Sequence, residues 1–219
     1  NALQEKGQFD EAIPCYEKSA NINRTDPGIY NSLGAVLQKK GQLEEAIIQY
    51  QRALQLDPNF AVAYSNLGNA LQEKGQFDEA ITYYQKALQL NPELVDAHLN
   101  MSLIFLLRGN FEEGWKEYTW RWKLKNVYRR NFSQPLWDGS DIKGLTILLH
   151  AEQGFGDTIQ FIRYAPLVSQ RGARVVVECL RELTSLLQNI EGIDQITARG
   201  DPLPEFDLHC PLLSLPLVF

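Results

Sequence analysis

Residues 61–93 read AVAYSNLGNALQEKGQFDEAITYYQKALQLNPE, and this stretch decides the fold. Apolar residues recur at helical spacing on both sides of Lys74-Gly75, and Pro92 closes the unit. That is a helix, a tight turn and a second helix. The same pattern runs outward with a step of 34: Tyr30, Tyr64 and His98; Gly7, Gly41, Gly75 and Gly109; Ala12, Ala46, Ala80 and Gly114; Tyr16, Tyr50, Tyr84 and Tyr118. The opening NALQEKGQFDEA recurs whole at 69–80. Internal periods of this length mean a repeat architecture. A half repeat covers 1–26, full repeats cover 27–60 and 61–94, and a divergent one starts at 95.

The small residues have a mechanical reason. Gly68 and Ala80 fall where two antiparallel helices approach closely, and Tyr64, Leu67, Leu71, Phe77 and Tyr84 fill the seam between them. Gly75 supplies the turn. One such pair cannot bury its own apolar face, so units stack into a right-handed superhelix whose concave side is lined by first helices. These positions resemble the tetratricopeptide repeat. The wording Asn66-Leu67-Gly68-Asn69 is similar to the repeats of O-GlcNAc transferases. That resemblance implies asparagines that line a concave groove and hold peptide backbones, here Asn66 and Asn100. Ser32 takes the same position one repeat earlier with Asn31 beside it, and Asn69 belongs to the same concave surface. An amide offers both donor and acceptor, which suits sequence-tolerant backbone binding. The alternative is that these asparagines face solvent or helix ends and bind nothing.

The last repeat departs from the others. Ser65, Asn69 and Gln72 are followed 34 residues later by Leu99, Leu103 and Leu106. A greasy patch of that density calls for a cover, which predicts burial by the segment that follows and the end of the solenoid here. From Phe111 the helix is expected to continue through Trp115, Tyr118 and Trp122, spaced 4, 3 and 4 along one face. Arg121, Lys123, Lys125, Arg129 and Arg130 then form a basic run interleaved with Tyr128, Phe132 and Trp137. It reads either as a solvated connector after a helix C-terminus or as a binder of RNA or phosphate groups. Turn formers at Ser133-Gln134-Pro135 and Asp138-Gly139-Ser140 mark a linker.

Beyond it, apolar strands alternate with amphipathic helices. Strands are expected at 145–149, 173–179, 194–198 and 206–210, with helices at 157–170 and 180–189. Strand, helix, strand, helix, strand means parallel pairing and a Rossmann-like sheet, whose chemistry lies at the carboxyl ends of its strands. There the sequence reads His150-Ala-Glu-Gln153-Gly154-Phe-Gly156-Asp157-Thr158. Glycines allow a ligand close to the backbone, and Asp157 or Thr158 can cap the next helix, whose amides favour an anion. A tight turn with an Asp cap and a ligand site are both open.

HAEQGFGDTIQFIRYAPLVSQRGARVVVEC, followed by FDLHCPLLSLPL, resembles the half-domain that follows tetratricopeptide repeats in bacterial proteins related to heptosyltransferase-type (GT-B) glycosyltransferases. The resemblance covers about 115 to the end. It implies that Gly156 and Asp157 face the cleft between two Rossmann domains and that Asp157 is the base for the acceptor hydroxyl. His150 is the other candidate catalytic group, and Gln153, Gly154, Gly156 and Thr158 are candidate ligand contacts. Two departures stand out: His150-Ala-Glu-Gln153 replaces an Arg-Leu-Gly stretch, and Pro166 lies further from the Asp. The resemblance implies a nucleotide-sugar donor for a longer parent protein, held mainly by a second Rossmann domain, with no cofactor in this chain. The rival reading is a non-catalytic interaction scaffold with a structural Rossmann half.

The 219 residues carry 21 basic and 27 acidic side chains, a net charge of −6. That argues against a general nucleic-acid or anionic-membrane binder. The expected partner is a protein or peptide in the groove, with no nucleic acid. Cys15, Cys179 and Cys210 are scattered and show no metal-ligand spacing, so no metal is expected and they read as reduced thiols of a cytoplasmic protein. No membrane span or signal peptide is legible. A chain that opens in mid-pattern without Met is expected to be a fragment with a shortened second domain. The fold class is an α-solenoid over 1–128 with a C-terminal capping helix, a linker over 129–144, and a Rossmann-like half-domain over 145–219.

Overall fold

The computed structural model describes residues 9–124 and 130–219. The chain divides into two compact units at Arg121 and Trp122. The first is built of helices α1 (Phe9–Ile22), α2 (Pro27–Lys39), α3 (Leu43–Leu56), α4 (Ala61–Glu73), α5 (Phe77–Leu90), α6 (Val95–Leu107) and α7 (Phe111–Tyr118). A 3-10 turn, Thr119–Lys123, follows.

Each helix pair turns on a glycine. Gly41, Gly75 and Gly109 have φ of 79°, 76° and 75°, a region open to glycine and strained for other residues. The next amide returns to the preceding helix: Gln42 to Leu37 at 3.0 Å, Gln76 to Leu71 at 2.9 Å and Asn110 to Phe105 at 2.9 Å. This ties off the helix carbonyls. Asp26 caps α2 by accepting from the Gly28 amide at 2.8 Å, with Pro27 preset for the first turn. Acidic pairs Glu44-Glu45, Asp78-Glu79 and Glu112-Glu113 begin α3, α5 and α7, where the helix dipole favours them.

Close packing follows the small residues. A Cβ added at Gly34 or Gly68 would stand 2.7 Å from the ring of Tyr50 or Tyr84, and one at Gly114 the same distance from Leu106. Ala46, Ala53, Ala80 and Ala87 are fully buried. Ion pairs recur with the 34-residue step: Lys40 with Asp10 at 2.7 Å, Lys74 with Glu44 at 3.0 Å and Arg108 with Asp78 at 2.5 Å. They are exposed and add little energy, but they mark the register of the stack.

Two expectations for the last repeat need correction. The helix does not run through Trp122: it ends at Tyr118 and tightens to 3-10 winding. Phe111, expected on a buried stripe, is 61% exposed. Leu103 is 49% and Leu107 70% exposed, so the apolar residues of α6 are not all covered. Leu99 and Leu106 are half-buried.

The second unit is a four-stranded sheet in the order β3-β2-β1-β4, with β1 Thr146–His150, β2 Arg174–Cys179, β3 Gln195–Ala198 and β4 Leu208–Pro211. Every pairing is parallel. The expected helix over 157–170 is three pieces: α8 (Phe155–Phe161), a 3-10 turn (Ile162–Tyr164) and α9 (Ala165–Gln170). Pro166 lacks the amide that would bond back across the break. The expected helix over 180–189 is a 3-10 turn, Arg181–Leu183, followed by α10 (Thr184–Leu187). A last 3-10 stretch spans Leu212–Leu217.

Residues 130–144 are part of this unit. Leu136 bridges His209 in parallel, the Trp137 amide donates to the His209 carbonyl at 2.8 Å, and the His209 amide donates to the Pro135 carbonyl at 3.1 Å. The segment thus extends the sheet beyond β4. Trp137 and Ile142 are buried, and the Trp137 indole donates to the Ser140 carbonyl at 2.9 Å. Arg171 lies over the rings of Trp137 and Phe219 and donates to the Gly139 carbonyl at 2.9 Å.

Candidate functional site

In the repeats, the asparagines interact across successive first helices. Asn66 of α4 donates to the Asn31 side chain of α2 at 2.9 Å, and Asn100 of α6 donates to Asn69 of α4 at 2.6 Å. Each is half-buried. A side-chain amide has two N–H donors and two acceptor lone pairs, so one such bond leaves capacity at each rung. The Tyr84 hydroxyl lies 2.6 Å from Asn69 Oδ1 and 2.8 Å from Gln72 Oε1. Its single proton serves one of them at a time, and the contact fixes the Asn69 amide from behind. Burial raises the Tyr84 hydroxyl well above its ordinary range, so it is a neutral donor. Asn31 pairs with Asn66 although it stands one position before the 34-residue register, which spacing alone does not reveal.

In the sheet, register puts a polar row on one face. His150 pairs with Glu178 and Glu178 with Thr197, while Leu148 pairs with His209, so the alternation of β1 places His150 and His209 on the same side. The opposite face carries Ile147, Leu149, Val175, Val177, Cys179 and Cys210, all buried. On the polar face the Phe132 ring meets His150 at 5.6 Å, His209 at 5.0 Å and Phe206 at 5.2 Å. Arg130 forms an ion pair with Glu178. A cavity of about 450 Å³ remains, lined by Trp122, Lys123, Arg130, His150, His209 and Pro211 among others.

His150 is 3% exposed, and its Nε2 lies 3.2 Å from His209 Nδ1. Burial lowers it to about 3, and His209, Arg130 and Arg199 push in the same direction. Burial lowers His209 as well. The pair is therefore neutral and shares one proton across the contact. Arg199, just after β3, donates to the Ala151 carbonyl. Glu152 is buried at the same edge.

The Gly-rich loop lies at the carboxyl edge, as the sequence implies, but its capping differs. The helix cap is Gly154; Asp157 sits in the first turn of α8 and caps nothing, which corrects the expected Asp cap. Thr158 is buried and its hydroxyl donates to the Gly154 carbonyl at 3.0 Å, holding the loop from within. Gly154 and Gly156 are exposed with open space where a side chain would stand, and Gln153 is half-buried. The basic run is drawn inward at both ends. Arg121 is buried, its guanidinium 4.9 Å from the Tyr118 ring, and Arg130 meets Glu178. Lys123 is exposed, whereas Lys125, Tyr128 and Arg129 lie outside the described residues. Cys15 is exposed, and Cys179 and Cys210 are buried thiols. Among the described residues no helix is long and apolar enough to cross a membrane.

Comparison with known proteins agrees with the first unit. Residues 61–94 match the family described as tetratricopeptide repeat, and residues 1–41 and 38–75 match that described as TPR repeat. Residues 1–94 thus carry tetratricopeptide repeats. The chain is similar to the crystal structure of MamA, with 26% identity over 55% of this chain and 71% of that one and a TM-score of 0.51. MamA of Desulfovibrio magneticus RS-1, residues 41 to the end, shares the fold at 24% identity over 57% and 70% of the two chains, with a TM-score of 0.51. No curated protein matches the chain.

Proposed function

We propose that the repeats capture an extended polypeptide along the face that carries Asn31, Asn66, Asn69 and Asn100. The observation that carries this reading is the pairing of these amides across consecutive first helices, at 2.9 Å and 2.6 Å. A row of partly satisfied amides offers both donors and acceptors to a peptide backbone without selecting a side chain. Replacing Asn66, Asn69 and Asn100 together by Ala tests it. Peptides selected on the wild-type chain from a random library should be lost by the triple variant while its helicity is retained. Equal capture would remove the ladder.

The Rossmann-like unit is the acceptor-side part of a nucleotide-sugar-dependent glycosyltransferase. This reading rests on the sequence resemblance and on the exposed Gly154, Phe155 and Gly156 at the carboxyl edge, with Asp157 half-buried in the first turn of α8. Asp157 would take the acceptor hydroxyl proton, Gln153 and the glycines would approach the ligand, and Thr158 would hold the loop. The resemblance implies that the donor sugar would be held mainly by a second Rossmann domain. Asp157→Asn in the parent should fold normally and lose about 10²- to 10⁴-fold in donor turnover. Wild-type turnover would end the assignment.

A second reading is a non-catalytic scaffold. It is favoured by the internal pairing of the polar groups at the carboxyl edge: His150 with His209, and Arg130 with Glu178. Absence of donor binding by the parent, measured calorimetrically, would select it.

A further inference from the structure

The grooves between successive second helices form a series. Their floors are one position in three versions, Tyr30, Tyr64 and His98, and above each stands another, Arg52, Lys86 and Trp120. The Arg52 guanidinium is 5.9 Å from the Tyr30 ring centre, and the Lys86 ammonium is 5.4 Å from that of Tyr64. In the third groove the covering group is a ring: Trp120 lies 3.7 Å from His98 at 7° between planes. His98 is itself fixed by Glu117 and by the Pro92 carbonyl, 2.9 Å from Nε2.

The chain therefore shows what fills such a groove, and it fills one of three. Between α3 and α5 the equivalent space is an open cavity of about 500 Å³, lined by Leu54, Tyr64, Leu67, Tyr83 and Lys86. Tyr83 stacks beside Tyr64 at 6.2 Å, so the floor is a broad aromatic surface. One repeat earlier the groove of Tyr30 and Leu33 is smaller, about 380 Å³.

We propose that the groove between α3 and α5 is a docking site for an aromatic side chain of a partner polypeptide, tryptophan foremost, carried next to a carboxylate. The ring would take over Tyr64 the place that Trp120 takes over His98, gaining stacking and apolar burial. To admit it, the Lys86 ammonium must leave the face of Tyr64. It then stands as a cation at the rim, and an acidic residue beside the incoming ring restores its partner. The amide ladder lies on the first helices, whereas this groove opens between second helices, so the two surfaces are separate.

The test uses the full chain, isotopically labelled, with acetyl-Asp-Trp-Asp-amide as probe. Saturable shifts of the Leu54, Tyr64 and Tyr83 resonances are expected. Acetyl-Asp-Ala-Asp-amide and acetyl-Lys-Trp-Lys-amide should bind at least about tenfold more weakly. Lys86→Trp plants an indole where Trp120 stands in the third groove and should abolish the shifts. Leu54→Glu, at the groove wall, should do the same and serves if the first variant fails to fold. The proposal is overturned by absence of shifts at millimolar probe, by shifts that persist in a folded variant, by equal binding of the Lys-Trp-Lys peptide, by stronger binding of single-stranded oligothymidine, or by self-association through this groove.

Discussion

The Tyr84 ring packs against the bare backbone of Gly68 so closely that a Cβ there would stand 2.7 Å from ring carbon Cε1. The ring is fully buried and its hydroxyl is hydrogen bonded, so it cannot swing aside freely. Gly68→Ala should therefore destabilise the repeats by about 1–3 kcal/mol, the range for an overpacked core. Urea unfolding measures it. Adding Tyr84→Leu to Gly68→Ala should lessen the steric part of the loss; full additivity of the two changes would show that the contact is not the cause.

Gly75 poses a contrasting case. Its φ is 76° and nothing stands within 4 Å of an added carbon. Gly75→Ala should cost about 1–2 kcal/mol through the backbone alone, and Gly75→Asn less, because Asn tolerates the left-handed region. Melting curves of both variants check the order; an Ala variant as stable as Asn would contradict it.

The His150–His209 pair makes stability depend on pH. Burial holds His150 near 3 in the folded chain against an ordinary 6.5, so the unfolded chain binds a proton that the folded one refuses. Its contribution is complete above about pH 6.5 and is lost as pH falls from there towards 3, by up to about 1.4 kcal/mol per pH unit. His209, also lowered, acts in the same sense. Urea midpoints at pH 7, 5 and 4 should fall more steeply for the wild type than for His150→Phe. Parallel slopes would show that His150 is protonated without penalty.

Arg130 and Glu178 form an ion pair in which the Glu178 side chain is 1% exposed. Removing one charge strands the other in a poorly hydrated site. Arg130→Met or Glu178→Gln alone should destabilise by about 3–5 kcal/mol, and Arg130→Met with Glu178→Leu by much less. A double-mutant cycle measures the coupling; a value near zero would place the two groups in water.

Asp157 stands in the first turn of α8 without capping it. Asp157→Asn and Asp157→Ala should therefore differ little in stability, each losing only the dipole contribution of about 0.3–1 kcal/mol. Thermal melts decide it, and a clear advantage of Asn over Ala would restore Asp157 as a cap.

The repeats were readable because their rules are local and recur. Gly75 announces its turn, Gly68 its close approach, and Asn66 and Asn100 their common row. The parallel strands were readable from apolar runs such as Ile147 to Leu149. What the sequence hid depends on contacts distant along the chain. Nothing near Asn131 to Trp137 alternates like a strand, because that segment is held by His209 more than 70 residues later. The Asp157 reading failed through a competing start: Gly154 is extended, with φ −77° and ψ −170°, and begins the helix earlier. The pairing of Asn31 with Asn66 escaped the 34-residue rule because a side chain one position out of step can still reach its neighbour.

The polar row of His150, Glu178, Thr197 and His209 also serves as a alignment key. Sliding β2 by one residue against β1 would turn Glu178 to the apolar face beside Leu149 and Cys210, and would turn an aliphatic side chain towards Arg130. Apolar strands such as Val175-Val-Val177 carry almost no information about their own alignment, since each valine fits where the next one sat. A single carboxylate supplies it: a slip by one residue would bury an unpaired charge on the apolar face, away from the Arg130 guanidinium that Glu178 meets in the native pairing.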